Sequence, residues 1–239
     1  MALEDIIVVD IETAPLHNAA DFIQIGRPPK NYKKPDTIQQ WQENAWDHAL
    51  DRCSLDPDLC RIVAIGSMVA GGGIQSTVAT TELEERDMLQ AFWRQITSDA
   101  ILVGYNILQF DIPVLMRRSL YLGLKSVPQF TLNKFNPSRH ITDLMLLLSM
   151  NGLIKYRSLM WYAKRFQCAV PDQAIDGAMI SHLVDAGAWD QVSQHVEDDV
   201  SLTAQLAIKL GVLQDQKIEK IQKVTTSTPR DVPSVITAR

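Results

Sequence analysis

Asp10 and Glu12 stand one residue apart at the end of the β-branched run Ile6-Ile7-Val8-Val9, and no other feature constrains this chain as strongly. The run is short, apolar and β-branched, so Ile6–Ile11 reads as a strand. Side chains two apart in a strand share a face. Asp10 and Glu12 therefore project together, in line with Ile6 and Val8. Neighbouring carboxylates on a half-buried face repel each other and are costly to desolvate. Two outcomes are open: the strand ends at Val9 and both acids are solvated, or a divalent cation neutralises them.

The rest of the chain supplies a frame for such a strand. Ile62–Val69 and Ile74–Thr80 read as strands joined by the turn Gly71-Gly72-Gly73, and Glu82–Ile96 has helical spacing. Ile101–Val103 is a short buried strand ended by Gly104. Helices are then expected at Pro113–Leu122, Leu144–Met150, Leu159–Phe166 behind a Ser158 cap, Gly177–Asp185 and Ala188–Leu210, with Gly211 as the stop. Between Leu16 and Leu59 lies an insertion, part loop through Arg27–Pro35 and part helix at Thr37–Leu50. Strands first, one strand–helix unit, then helices predict an α/β fold with a mixed β-sheet flanked by helices. The expected layout is one domain over 1–212, with the insertion at about 16–59, and a C-terminal extension over 213–239. The Thr-, Ser- and Pro-rich stretch from Val224 onward predicts disorder at its end.

Two more carboxylates sit at telling places. Asp111 follows Asn106-Ile107-Leu108-Gln109-Phe110, just past the short strand, and precedes Ile112-Pro113, with proline suited to a first helical turn. It is placed to cap that helix or to hold a ligand beside the sheet, and a carboxylate has two oxygens with which to do both. In the last helix, Val192, Val196, Thr203, Leu206 and Leu210 form an apolar stripe at helical period, and Asp199 falls near its centre. Asp198 falls about 120° away and reads as a solvated acid. An inward Asp without a partner is costly, which favours a ligand role. His195 is one turn earlier, at the edge of the same face; taken alone it reads as a partly exposed packing residue. Asp143, ahead of a leucine-rich helix, reads as a cap.

Hydrophobic residues make up 46% and charged residues 21%, enough for a core that needs no staple. The net charge of −5 argues against a nucleic-acid binder, unless the acids gather in one site where bound cations reverse the local sign. Cys53, Cys60 and Cys168 are odd in number and lack a C-x-x-C spacing, which argues against disulfides and structural zinc and points to a reducing, cytoplasmic setting. Neither a signal peptide nor a membrane span is expected. Gly71-Gly72-Gly73 lacks the Lys-Ser/Thr of a phosphate loop, and no G-x-S-x-G occurs. Basic residues gather at Arg27–Lys34, Arg117-Arg118, Lys155-Tyr156-Arg157 and Lys164-Arg165; beside a metal site, the first and third become candidate phosphate contacts.

Taken in order, Val8-Val9-Asp10-Ile11-Glu12-Thr13, Leu102-Val103-Gly104-Tyr105-Asn106 through Asp111-Ile112-Pro113, Asp143-Leu144, and His195 to Asp199-Val200 resemble the exonuclease motifs of the DEDD superfamily. More closely, the chain resembles the predicted 3′–5′ exonucleases related to the proofreading domain of family B DNA polymerases, over roughly residues 5 to 210. The Pro28–Pro35 segment resembles that family's insertion. The resemblance implies an RNase H-like fold and two Mg²⁺ or Mn²⁺ ions held by Asp10, Glu12, Asp111 and Asp199. It implies hydrolysis from the 3′ end of single-stranded DNA, with release of nucleoside 5′-monophosphates. His195 stands where that branch usually has tyrosine, four residues before the last Asp, and becomes the candidate for orienting or deprotonating the attacking water. Thr13, Tyr105, Asn106, Phe110, Lys155 and Arg157 are candidate nucleic-acid contacts. A polymerase, helicase or recombination protein is the kind of partner implied. The alternatives are an inactive nucleic-acid-binding or replication and repair accessory module, and a different RNase H-like endonuclease.

Overall fold

A computed structural model describes residues 6–125, 127, 140–171 and 177–213. Five strands form one mixed sheet in the order β3-β2-β1-β4-β5. β1 (Ile6–Pro15), β2 (Cys60–Val69) and β3 (Ile74–Val78) run antiparallel in succession, whereas β4 (Ile101–Gly104) and β5 (Ile141–Asp143) lie parallel to β1 and to each other. The helices are α1 (Pro35–Cys53), α2 (Glu82–Gln95), α3 (Asp111–Tyr121), α4 (Leu144–Leu148), α5 (Leu159–Arg165), α6 (Ile180–Asp185) and α7 (Trp189–Lys209). This is the mixed α/β sheet that the element order predicts.

Strand alternation sorts β1 onto two cores. Ile7, Val9 and Ile11 join Met88, Leu89 and Phe92 of α2 and Ile112 and Leu115 of α3 on one face. Ile6 and Val8 join Leu144, Tyr162, Val200 and Leu206 on the other, and Ala14 meets Ile180, Val192 and Val196 of α6 and α7 there. The face that carries Asp10 and Glu12 is thus the one that α7 covers. β1 runs through to Pro15, so the two acids lie within the strand rather than at its end. The sequence reading stopped at Ile11 because a carboxylate, threonine and proline stretch carries little strand signal.

Two features set how closely α7 approaches. Asp10 pairs with Gly66 across β1 and β2. A Cβ on Gly66 would lie 2.9 Å from Cγ2 of both Val196 and Val200 and 3.0 Å from the Val196 carbonyl oxygen. The helix rests on bare backbone at the position opposite Asp10. Two residues on, the register shifts between Glu12 and Thr13, a bulge of the kind that re-aims side chains next to functional sites.

The insertion closes on itself: Leu16 N–H donates to the Leu59 carbonyl at 2.9 Å, where Pro15 pairs with Cys60. Its helix is longer than the expected Thr37–Leu50 at both ends, starting at Pro35 and running to Cys53. β5 was not anticipated. Three residues are too few for a periodic signal, and it exists through pairing with β4. On the α2–α3 face, Arg118 and Glu85 form a buried two-pronged ion pair with both contacts at 2.7 Å, and Glu85 also accepts from Ile62 N–H at 2.8 Å. The three cysteines are buried and free. Among the described residues no helix is long and apolar enough to cross a membrane. The predicted disorder beyond Val224 lies outside the described residues.

Candidate active site

Three chain segments bring acids to one place. β1 contributes Asp10 and Glu12, the first turn of α3 contributes Asp111, and the middle of α7 contributes Asp199. Glu12, His195 and Asp199 each offer a ligand atom, and these atoms lie within 4.8 Å of one another. His195 Nε2 is 3.2 Å from Glu12 Oε1. Asp10 and Asp111 lie outside that tight trio but close enough to act on it electrostatically.

The electrostatics tie the four acids together. Burial, followed by the charges of Asp111, Glu12 and Asp199, holds the Asp10 carboxyl well above the usual range. Glu12 is raised in the same way by burial, then by Asp199 and Asp111. Burial also pushes Asp111 up to about 7, with Asp143 and Asp199 adding to the rise and the backbone N–H groups of Asp111 and Ile11 opposing it. Asp199 is raised by burial, and the adjacent His195 pulls the other way. Four raised carboxylates converging on one place, with no lysine or arginine among the groups that shift them, form a donor set of hard oxygens suited to Mg²⁺ or Mn²⁺. The chemistry of the residues present therefore fits divalent cations.

Asp111 occupies the first position of α3, not the cap. The cap residue is Phe110, which makes no side-chain capping bond. Asp111 is buried at 4% exposure, and its carboxyl accepts from its own backbone N–H and from that of Ile11 in β1. Asp143 does cap, as its position predicts: it accepts from Met145 and Leu146 N–H at 2.9 and 3.1 Å. It has a second task that the sequence did not reveal. It also accepts from Asn106 and Leu108 N–H at 3.2 and 3.1 Å, pinning the loop that delivers Asp111. That loop turns at Asn106, which adopts φ 61°, a left-handed conformation that asparagine tolerates. Gly104 lets it fold back, since a Cβ there would meet Ile107 side-chain carbons at 2.7 and 2.8 Å.

His195 departs from expectation. It is buried, at 6% exposure, where a partly exposed packing residue was predicted. The contact with Glu12 explains the difference, because a buried imidazole needs a polar partner. Thr13 is buried, and its hydroxyl donates to the Ser54 carbonyl at 2.6 Å, tying β1 to the end of α1. Tyr105 is half-buried and donates its hydroxyl to the Arg157 carbonyl. Phe110 is partly buried against the α2–α3 core. Lys155 and Arg157 are exposed in the loop before α5, outside the acid cluster.

A family model described as "Predicted 3'-5' exonuclease related to the exonuclease domain of PolB" matches residues 53–228. That stretch contains Asp111, Asp143, His195 and Asp199 but begins after β1, so Asp10 and Glu12 join the set through the fold. No curated protein matches the chain. A solved family B DNA polymerase from the hyperthermophilic archaeon Pyrobaculum calidifontis is similar in fold, with a TM-score of 0.54 and 21% identity. The similarity covers 86% of this chain and 24% of the polymerase, so the chain spans about a quarter of that enzyme's length. By the family match, this chain belongs to the predicted 3′–5′ exonucleases related to the exonuclease domain of PolB.

Proposed function

We propose that the chain is a divalent-metal-dependent 3′–5′ exonuclease that removes nucleoside 5′-monophosphates from the 3′ end of single-stranded DNA. One observation carries the reading: four acids from β1, α3 and α7, each held above the usual carboxylate range chiefly by burial, converge on one site beside His195. Asp10, Glu12, Asp111 and Asp199 would hold two Mg²⁺ or Mn²⁺ ions. When bound, such ions supply the positive charge that draws in a phosphodiester and lowers the barrier to its hydrolysis.

The protein's own residues do the rest. The sheet and α7 hold the ligands rigidly, because Val196 and Val200 seat the helix on Gly66. Asp143 fixes the Asn106–Phe110 loop, and with it the position of Asp111. His195, between Glu12 and Asp199, orients the attacking water or takes its proton. Its contact with Glu12 fixes the ring for that task.

The test is product analysis on a 5′-labelled single strand with Mn²⁺, with Mg²⁺ and with EDTA, beside an Asp10→Ala variant. The expected result is a metal-dependent ladder shortening from the 3′ end, absent in the variant. Internal cuts would instead indicate an endonuclease. Metal-dependent stabilisation without cleavage would indicate a binding module.

A further inference from the structure

From Leu144 to Pro171 this acidic chain contains no Asp or Glu, yet it contains Lys155, Arg157, Lys164 and Arg165. All four are exposed, and none forms an ion pair with a described residue. The same segment bares aromatic surface, with Tyr156 58% exposed and Trp161 45% exposed. Arg157 lies over the Trp161 ring, 5.4 Å from its centroid.

This face is anchored to the acid site. The Tyr105 hydroxyl donates to the Arg157 carbonyl. The Tyr105 ring lies 6.4 Å from that of Tyr162, which in turn meets Trp161 edge-on at 5.1 Å. Tyr105 begins the loop that ends at Asp111, and the next residue, Asn106, is held by Asp143. The segment is thus tied through Tyr105 and Asn106 to the loop that carries Asp111.

We propose that this face is a platform for the single strand, with bases stacking on Tyr156 and Trp161 while Lys155 and Arg157 neutralise its phosphates. The inference rests on the exonuclease reading and deepens it by naming the residues that hold the unpaired strand. Stacking on exposed aromatic rings requires unpaired bases, so single strands are bound and duplex is not. Charge selects the occupant: an unpaired basic patch on a chain of net charge −5 is complementary to a polyanion.

The experiment uses the full chain in EDTA, where nothing is cut, and a fluorescein-labelled oligothymidylate read by anisotropy. A Tyr156→Ala, Trp161→Ala variant is expected to bind at least about thirtyfold more weakly, the loss that follows from two removed stacking partners. The Tyr156→Phe, Trp161→Phe variant keeps the rings and is expected to bind like the native protein. Lys155→Ala with Arg157→Ala is expected to flatten the dependence of log affinity on log salt by about 0.7 for each charge removed. Undiminished binding by the alanine pair overturns the proposal. Equal affinity for a blunt duplex also overturns it, as does a patch that captures protein but no oligonucleotide. Failure of the exonuclease reading is seen separately, as strand binding without cleavage when metal is restored.

Discussion

His195 Nε2 lies 3.2 Å from Glu12 Oε1, joining the last long helix to the first strand inside the acid cluster. The contact holds the imidazole of α7 against the sheet at the point where Asp199 also arrives. An imidazole fixed there is expected to matter for turnover more than for grip on the substrate. His195→Ala should lower kcat by about 10²- to 10³-fold, in the range for loss of a general base, and leave affinity for a single strand nearly unchanged. Single-turnover cleavage combined with anisotropy checks this. Native turnover in the variant would remove the proposed role.

Gly66 offers a test remote from the chemistry. A methyl group there cannot avoid the Val196 carbonyl, which is backbone and cannot rotate away. Gly66→Ala should lift α7 and draw Asp199 and His195 away from Asp10 and Glu12. The expected stability loss is about 1–3 kcal/mol, as for overpacked cores. Activity and Mn²⁺ affinity should fall further than that loss accounts for. Thermal melts, Mn²⁺ titration and kcat measured on one preparation would show it. A folded variant with full activity would mean that the approach of α7 does not set the site.

The acids also determine how the metal-free protein responds to pH. Burial raises Asp111 from its ordinary 3.8 to about 7, so the folded state favours its protonated form. That contribution is fully present below about pH 4 and is lost as pH climbs through about 7. In EDTA the protein should therefore melt at a lower temperature at pH 7.5 than at pH 5.5. Asp111→Asn should raise the pH 7.5 melting temperature by about 4–8 °C, on the scale of a few kcal/mol in a chain of this length, while abolishing cleavage. Added Mn²⁺ should stabilise the native protein more at pH 7.5 than at pH 5.5. A variant that melts below the native protein in EDTA would contradict the electrostatic account.

Much of this was legible in the sequence where a period could be read. The β-branched run gave β1, and helical spacing placed Asp199 on the face of α7 that meets the sheet. What escaped the reading depends on contacts between distant segments. β5 exists only as a partner of β4. The second task of Asp143 requires Asn106 and Leu108, far away along the chain. The burial of His195 follows from Glu12, and the importance of Gly66 from two valines on α7. No local pattern marks a glycine as the seat of a helix, whereas the close packing of the folded chain does.

The most direct test of the central claim, that Asp10, Glu12, Asp111 and Asp199 form one divalent-cation site, is a calorimetric Mn²⁺ titration of the native protein beside Asp10→Asn and Asp199→Asn. The account predicts two ions per native chain, with binding weakened in both variants even though the two residues lie on different elements. Native protein that takes up no Mn²⁺, or variants that bind it as the native protein does, would contradict it.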